Sequence, residues 1–204
     1  MENELHWYAL KIVFNKLFEA ENDFAEQGVE SYFPVEKVRL KGEDHLRAAR
    51  RLALQDDYRK DNRYIKVGPV IFQRKPVVNS LMFVRTTHEG ILKIAKDIEG
   101  RGFVYRMADR KTLCVIPDRQ MTLFRLVTDS GDTGLEYFSD ESITRYKQGD
   151  RVRVVEGPLK GTEGYIKRIR RDRRLLVAIE GFVAVATSFI PMQFLQKVPE
   201  EHAG

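Results

Sequence analysis

A single cysteine, Cys114, stands in the 204 residues. It excludes an intramolecular disulfide and any multi-cysteine metal cluster, as expected of a chain kept in a reducing interior, and reads as a small buried hydrophobe rather than a nucleophile. No apolar run approaches the roughly 18 to 20 residues that span a bilayer. The opening Met1-Glu2-Asn3-Glu4 is acidic where a secretory leader is basic, so a cytoplasmic protein with no membrane partner is expected. His6, His45, His88 and His202 are scattered without metal-ligand spacing. Phosphate-loop and dinucleotide glycine patterns do not occur. The expectation is a protein that is not an enzyme and takes neither cofactor nor metal, although folding can still bring distant groups together.

What is present is a globular composition: 43% hydrophobic and 10% aromatic residues argue against global disorder, and 32% charged residues keep the chain soluble. The length has room for one large or two small domains. The net charge of +5 is unevenly placed. Residues 1–144 hold 23 basic and 23 acidic residues, whereas residues 145–204 hold 12 and 7, so the whole excess lies in the last segment. It concentrates in Lys167, Arg168, Arg170, Arg171, Arg173 and Arg174. Such a run reads either as a phosphate-attracting patch with salt-dependent affinity or as a solvated hairpin tip.

His6-Trp7-Tyr8-Ala9-Leu10-Lys11-Ile12-Val13-Phe14 is rich in aromatic and β-branched residues and predicts a strand. Asn15 is placed to cap a helix carrying Leu17, Phe18, Ala20, Phe24 and Ala25 on one face, ended at Gly28, before a second strand over 31–35. The order is β-α-β. Leu46, Ala49, Leu52 and Ala53 give a helical period whose outer arginines, Arg47, Arg50 and Arg51, read as a solvated face in preference to a nucleic-acid contact. Gly68-Pro69 marks a turn between two apolar runs. Leu81-Met82-Phe83-Val84 predicts a strand covered on both faces. Thr86 and Glu89 offer a capping box for a helix with Ile91, Leu92, Ala95 and Ile98. Strands follow over 103–107 and 113–116, then a helix from Pro117-Asp118 with Met121, Phe124 and Val127 on one side, then a polar, glycine-containing linker over 129–142.

The stretch from Gly149 to Gly164 carries the most specific pattern. Val152 and Val154 alternate with Arg151 and Arg153 as in a strand, Gly157-Pro158 stops it, and Gly161 and Gly164 bring the chain back before Ile166 and Ile169 resume the apolar face. This stretch resembles the KOW motif of ribosomal proteins and of the NusG family of bacterial transcription factors. The first part resembles the N-terminal domain of that family, in Trp7-Tyr8 opening the first strand, Phe33-Pro34 in the second, and Phe83-Val84 in a central strand before a helix.

The resemblance implies an α+β chain: residues 1–128 as an α/β sandwich with an antiparallel sheet backed by helices, carrying an insertion over about 41–66, and residues 143–204 as a small five-stranded, SH3-like KOW β-barrel. A KOW barrel that converts to helices is known for one family paralogue, but the β-branched residues and glycines here favour strand. The resemblance implies a tethering factor for transcription elongation or antitermination, expected as a monomer. Its first domain docks an exposed apolar depression on RNA polymerase, with Tyr8, Phe33, Leu81 and Phe83 as contacts by position. Its barrel recruits a ribosomal protein or the Rho factor, and non-template DNA or leader RNA is a further partner. Two departures point to a specialised, operon-directed paralogue. Val77-Val78-Asn79-Ser80-Leu81 replaces the family's Phe-Phe-Pro-Gly-Tyr, and Glu180 and Phe182 flank Gly181 where the general factor has an aromatic residue and an arginine. The rival reading is a ribosome-associated or rRNA-binding KOW protein.

Overall fold

The computed structural model describes residues 4–13, 16–54, 61–132, 134–139, 149–169 and 172–198. The chain divides into two compact units, residues 1–115 and 116–204. Among the described residues no helix is long and apolar enough to cross a membrane.

In the first unit β1 (His6–Ile12) leads into α1 (Leu17–Glu26); Asn15, the expected cap, lies outside the described residues. The single strand expected over 31–35 is two. Its first part is β2 (Glu30–Tyr32), and β3 (Val35–Arg39) joins a different sheet. The break falls at Phe33-Pro34, where proline removes a ladder donor. Then come α2 (Gly42–Ala53), β4 (Tyr64–Val67), β5 (Val70–Pro76), β6 (Leu81–Thr86), α3 (His88–Asp97) and β7 (Gly102–Val104).

One antiparallel sheet runs β2-β6-β1-β7, with Tyr8 opposite Val84, Leu10 opposite both Met82 and Val104, and Ala9 opposite Phe83. Directly opposed residues share a face and successive ones alternate. Tyr8, Leu10, Ile12, Met82, Val84 and Val104 therefore face one way, into a core completed by Leu17, Ala20 and Phe24 of α1 and by Ile91, Ile94 and Ile98 along α3. Ile94 fills the place expected for Leu92, which is 40% exposed. The cap of α3 also differs: the Thr87 hydroxyl, not Thr86, accepts from the Gly90 amide at 3.1 Å. Thr86 is still paired in β6 with His6, so the strand claims it first.

The other sheet of this unit, β3-β5-β4, is a three-stranded antiparallel ribbon. β4 and β5 turn through Gly68-Pro69, with Val67 opposite Val70. Gly68 takes φ +55° at the first turn position, a conformation that admits glycine without strain. Arg74 ties this ribbon to α1. Its guanidinium donates to both Glu21 carboxylate oxygens at 2.7 and 2.8 Å and lies 5.3 and 5.5 Å from the ring centres of Phe18 and Phe33.

At the boundary β8 (Val115–Ile116) pairs with β1 as the fifth strand of the first sheet; α4 (Asp118–Thr128) follows in the second unit, its Met121, Phe124 and Val127 buried as the helical period predicts. By its contacts α4 groups with the strands C-terminal to it rather than with residues 1–115. The remaining strands are β9 (Glu136–Ser139), β10 (Arg151–Val154), β11 (Glu163–Ile169), β12 (Asp172–Ile179), β13 (Val183–Phe189) and β14 (Leu195–Lys197), in a six-stranded sheet ordered β14-β10-β11-β12-β13-β9. β13 is one continuous strand, and β14 closes the order beside β10. β9 comes from the stretch read as linker, where Tyr137 and Phe138 pair against Val185 and Ala184. Asp132, also in that stretch, accepts from the Ser188 amide and hydroxyl at 2.7 and 2.8 Å. Residues 140–148 lie outside the described residues.

β12 and β13 are buried on both faces. Leu175, Val177, Ile179, Val183 and Val185 project to one side, and Leu176, Ala184 and Ala186 to the other. The second face carries alanines, and α4 packs on these two strands. Small side chains let a helix approach a sheet closely.

Candidate partner-binding surfaces

An apolar docking site must stay accessible. Tyr8, Phe33, Leu81 and Phe83 do not: they are 1, 2, 5 and 0% exposed. The assignment of these four as surface contacts is corrected on that ground. Tyr8 and Phe33 belong to the helix-side core, and Leu81 and Phe83 are buried on the opposite face of β6. The apolar run in β6 signals a strand covered on both sides, and a side chain in such a strand has no route to solvent.

The exposed aromatic of this sheet is Phe103, 51% exposed on β7 and opposite Lys11. Its ring meets Tyr105 edge-on at 5.2 Å, and the Lys11 ammonium sits 5.9 Å from its centre. The sequence marks residues 103–107 as a strand, but the register that turns Phe103 outward and Val104 inward is a tertiary fact.

In the second unit the glycine-containing stretch forms β10, the turn after it and the start of β11. Val152 and Val154 are buried. At Gly164 a β-carbon would stand 2.3 Å from the Leu176 carbonyl oxygen of the neighbouring strand, so any side chain would push β11 and β12 apart. Gly149, Gly157, Pro158 and Gly161 shape the approaches to this pair of strands.

Glu163, at the start of β11 within that motif, is a residue the sequence reading passed over. It is buried, and it collects three arginines: Arg153 donates to Oε1 from Nε at 2.9 Å, Arg151 to Oε2 at 3.1 Å, and Arg119 of α4 also to Oε2. Burial alone would raise its pKa. The hydrogen bond from Arg153 and the charges of Arg119, Arg153 and Arg151 outweigh that and hold the carboxyl below the ordinary range. The cluster fixes α4 beside β10 and β11 and borders a cavity of about 320 Å³ lined also by Leu123, Tyr165 and Leu176. Nothing in the spacing of Arg119 and Glu163, 44 residues apart, announces the pair.

The basic hairpin separates by register. Lys167 lies opposite Arg174 and Arg168 opposite Arg173; Arg170 and Arg171 fall outside the described residues. Arg174 is structural: its side chain is 13% exposed and donates to Glu136 of β9 at 2.9 Å. Arg168 and Arg173 are exposed. Like charges directly across a ladder repel. At the β12–β13 turn Glu180 is exposed, its amide donating to Gln120 of α4 at 3.1 Å, and Phe182 is half-buried.

No family model and no curated protein matches the sequence. Among solved structures, one concerning domain interaction in NusG of Thermotoga maritima is similar over 96% of this chain and 98% of that one, at 15% sequence identity and a TM-score of 0.41.

Proposed function

We propose that this chain is a non-enzymatic transcription elongation or antitermination factor of the cytoplasm, specialised toward particular operons, that binds RNA polymerase through its first unit and a second partner through its β-rich second unit. The observation that carries the reading is one of order. Trp7-Tyr8 opens an antiparallel sheet backed by helices, and the glycine motif from Gly149 to Gly164 joins β10 and β11 of the six-stranded antiparallel sheet that follows. Polymerase contact falls to the exposed ring of Phe103, with half-buried Tyr105 beside it, because docking needs apolar area that water still reaches. The second unit offers Arg168, Arg173, Glu180 and Phe182 to a ribosomal protein, the Rho factor or nucleic acid.

Phe103→Asp should abolish co-purification with polymerase while the melting temperature stays unchanged, since the ring is half exposed. In a purified elongation assay the natural chain should reduce pausing or read through a terminator on its own leader. Normal polymerase behaviour on every template, with sedimentation on ribosomes at high salt, would transfer the protein to the ribosome-associated class.

A further inference from the structure

The sheet face on which α4 packs is not filled along its whole length. Arg151 lies opposite Tyr165, and Tyr165 lies opposite Leu176. Because side chains alternate along a strand, Glu163 and Ala178 share that face with them. Arg119, Gln120 and Leu123 of α4 stand over it and enclose the cavity of about 320 Å³, with Glu180 also in its wall. The space exists because Ala178 offers only a methyl group where Leu176 and Glu180, two residues to either side, offer long side chains. Its volume falls at the small end of ligand pockets.

The wall has two kinds of surface. Leu123, Tyr165, Leu176 and Ala178 are apolar. The polar part is the guanidinium cluster, and it is not saturated. Arg119 and Arg151 each give Glu163 a single nitrogen, Nη2, of the three that a guanidinium carries. Their remaining N–H groups have no side-chain or carbonyl acceptor among the described residues.

Charge narrows the occupant further. Glu163, held ionised by Arg119, Arg151 and Arg153, balances one of their three charges, and Glu180 balances a second. The five side chains are left at +1. One carboxylate completes the balance, and its planar pair of oxygens matches the parallel N–H groups of a guanidinium. A phosphate monoester, at about −2, would exceed the balance and meet Glu180. An uncharged ligand would leave the guanidinium donors unused. We propose that this cavity binds a small organic monocarboxylate, its carboxylate on Arg119 and Arg151 and its apolar body against Leu123, Tyr165 and Leu176. The site does not depend on the transcription reading.

The test is an amide NMR titration of the full chain with acetate, benzoate and 3-phenylpropionate at constant ionic strength. Saturable shifts should centre on α4, β11 and β12. Affinity should rise along the series, 3-phenylpropionate reaching a Kd of about 1 mM, an ordinary value for a ligand of that size. Arg119→Gln should weaken 3-phenylpropionate about tenfold. The uncharged 3-phenylpropionamide should bind the natural chain and this variant equally weakly. The Arg119 side chain is 62% exposed and Glu163 keeps Arg151 and Arg153, so the sheet stays folded in that variant. Ala178→Leu fills the space and should abolish binding with the melting temperature unchanged or raised. No saturable shift with any of the three acids at about twentyfold that Kd would overturn the proposal, as would equal affinity for acid and amide. Tighter binding of phenyl phosphate than of benzoate would overturn it in favour of a phosphate site. Tighter binding of a peptide ending in a free phenylalanine carboxylate than of 3-phenylpropionate would overturn it in favour of a protein C-terminus.

Discussion

The two sheets of the first unit are built from strands of similar length and opposite character. In β6, Leu81 to Val84 and Thr86 are buried, whereas in β5 only Ile71 of seven residues is. The difference lies in what each strand alternates with. A run of apolar residues needs cover on both faces, and β6 has it. Apolar residues interleaved with Gln73, Arg74 and Lys75 leave one face for a helix and one for water or a partner. The closed sheet is the framework of the unit, and the open ribbon is its accessible surface.

The largest effect should come from placing a charge in the closed sheet. Phe83→Asp buries a carboxylate with no cation opposite it, since its neighbours across the ladder are Ala9 and Tyr32. A loss above about 4 kcal/mol is expected, enough to prevent folding of the unit. The same change at Phe72 leaves the aspartate in contact with water and should leave the unit folded. Circular dichroism on the two variants separates the sheets; equal loss in both would show that the ribbon is as essential to the core as β6.

Next comes the joint between them. Arg74→Ala removes a bidentate bond to Glu21, a bond to the Asn62 carbonyl at 2.9 Å and the stacking on two rings. With both ion-pair partners mostly shielded, a cost of about 3 kcal/mol is expected. Hydrogen exchange should show the ribbon amides losing protection while those of β1 and β6 keep theirs. Uniform loss across both sheets would mean that they unfold as one.

Much of the closed sheet is legible in the sequence, because its signals are local: β-branched and aromatic runs, Gly28 after α1, a threonine before α3. The failures have physical causes. Pro34 divides two strands that composition alone runs together. Tyr137 and Phe138 look like an interruption in a linker until β13 is there to pair with them. The site residues were least legible, because exposure depends on which face a strand turns outward. Tyr8 turns to the helix-side face, whereas Phe83 shares the opposite face with Phe103 and differs from it in cover, since Phe103 stands on β7 at the end of the strand order. The Glu163 cluster is invisible for the same reason, since its arginines come from α4 and β10 by folding.

A smaller effect separates the sheets by pH. Asp61, in the loop before β4, binds Arg63 of the same loop and Arg51 of α2. Burial alone would raise its carboxyl. The hydrogen bonds from the Arg63 side chain and amide, with the charges of Arg63 and Arg51, prevail and hold it below the ordinary 3.8. A depressed folded value means that the ionised form stabilises. The contribution is complete above pH 3.8 and is lost as pH falls through the lower folded value. Acid should therefore loosen α2 and the start of β4 ahead of the closed sheet, by about 1 to 2 kcal/mol. Exchange rates of α2 amides between about pH 5 and 3 give the measurement, and Asp61→Asn should remove the dependence.

The smallest effect concerns α2, where the helical period points at Leu46, Ala49, Leu52 and Ala53 as the packed face. The structure buries only Ala48 in this helix and leaves Leu46 57% exposed. Leu46→Lys should therefore change stability by less than about 0.5 kcal/mol, as surface substitutions do. Ala48→Leu, adding volume where the helix meets the ribbon, should cost about 1 to 3 kcal/mol. Urea titration of both variants distinguishes the two faces. A destabilising Leu46→Lys would mean that the apolar period is a covered face after all, and that the ribbon is enclosed on the side of α2 more as the closed sheet is than as its exposed residues indicate.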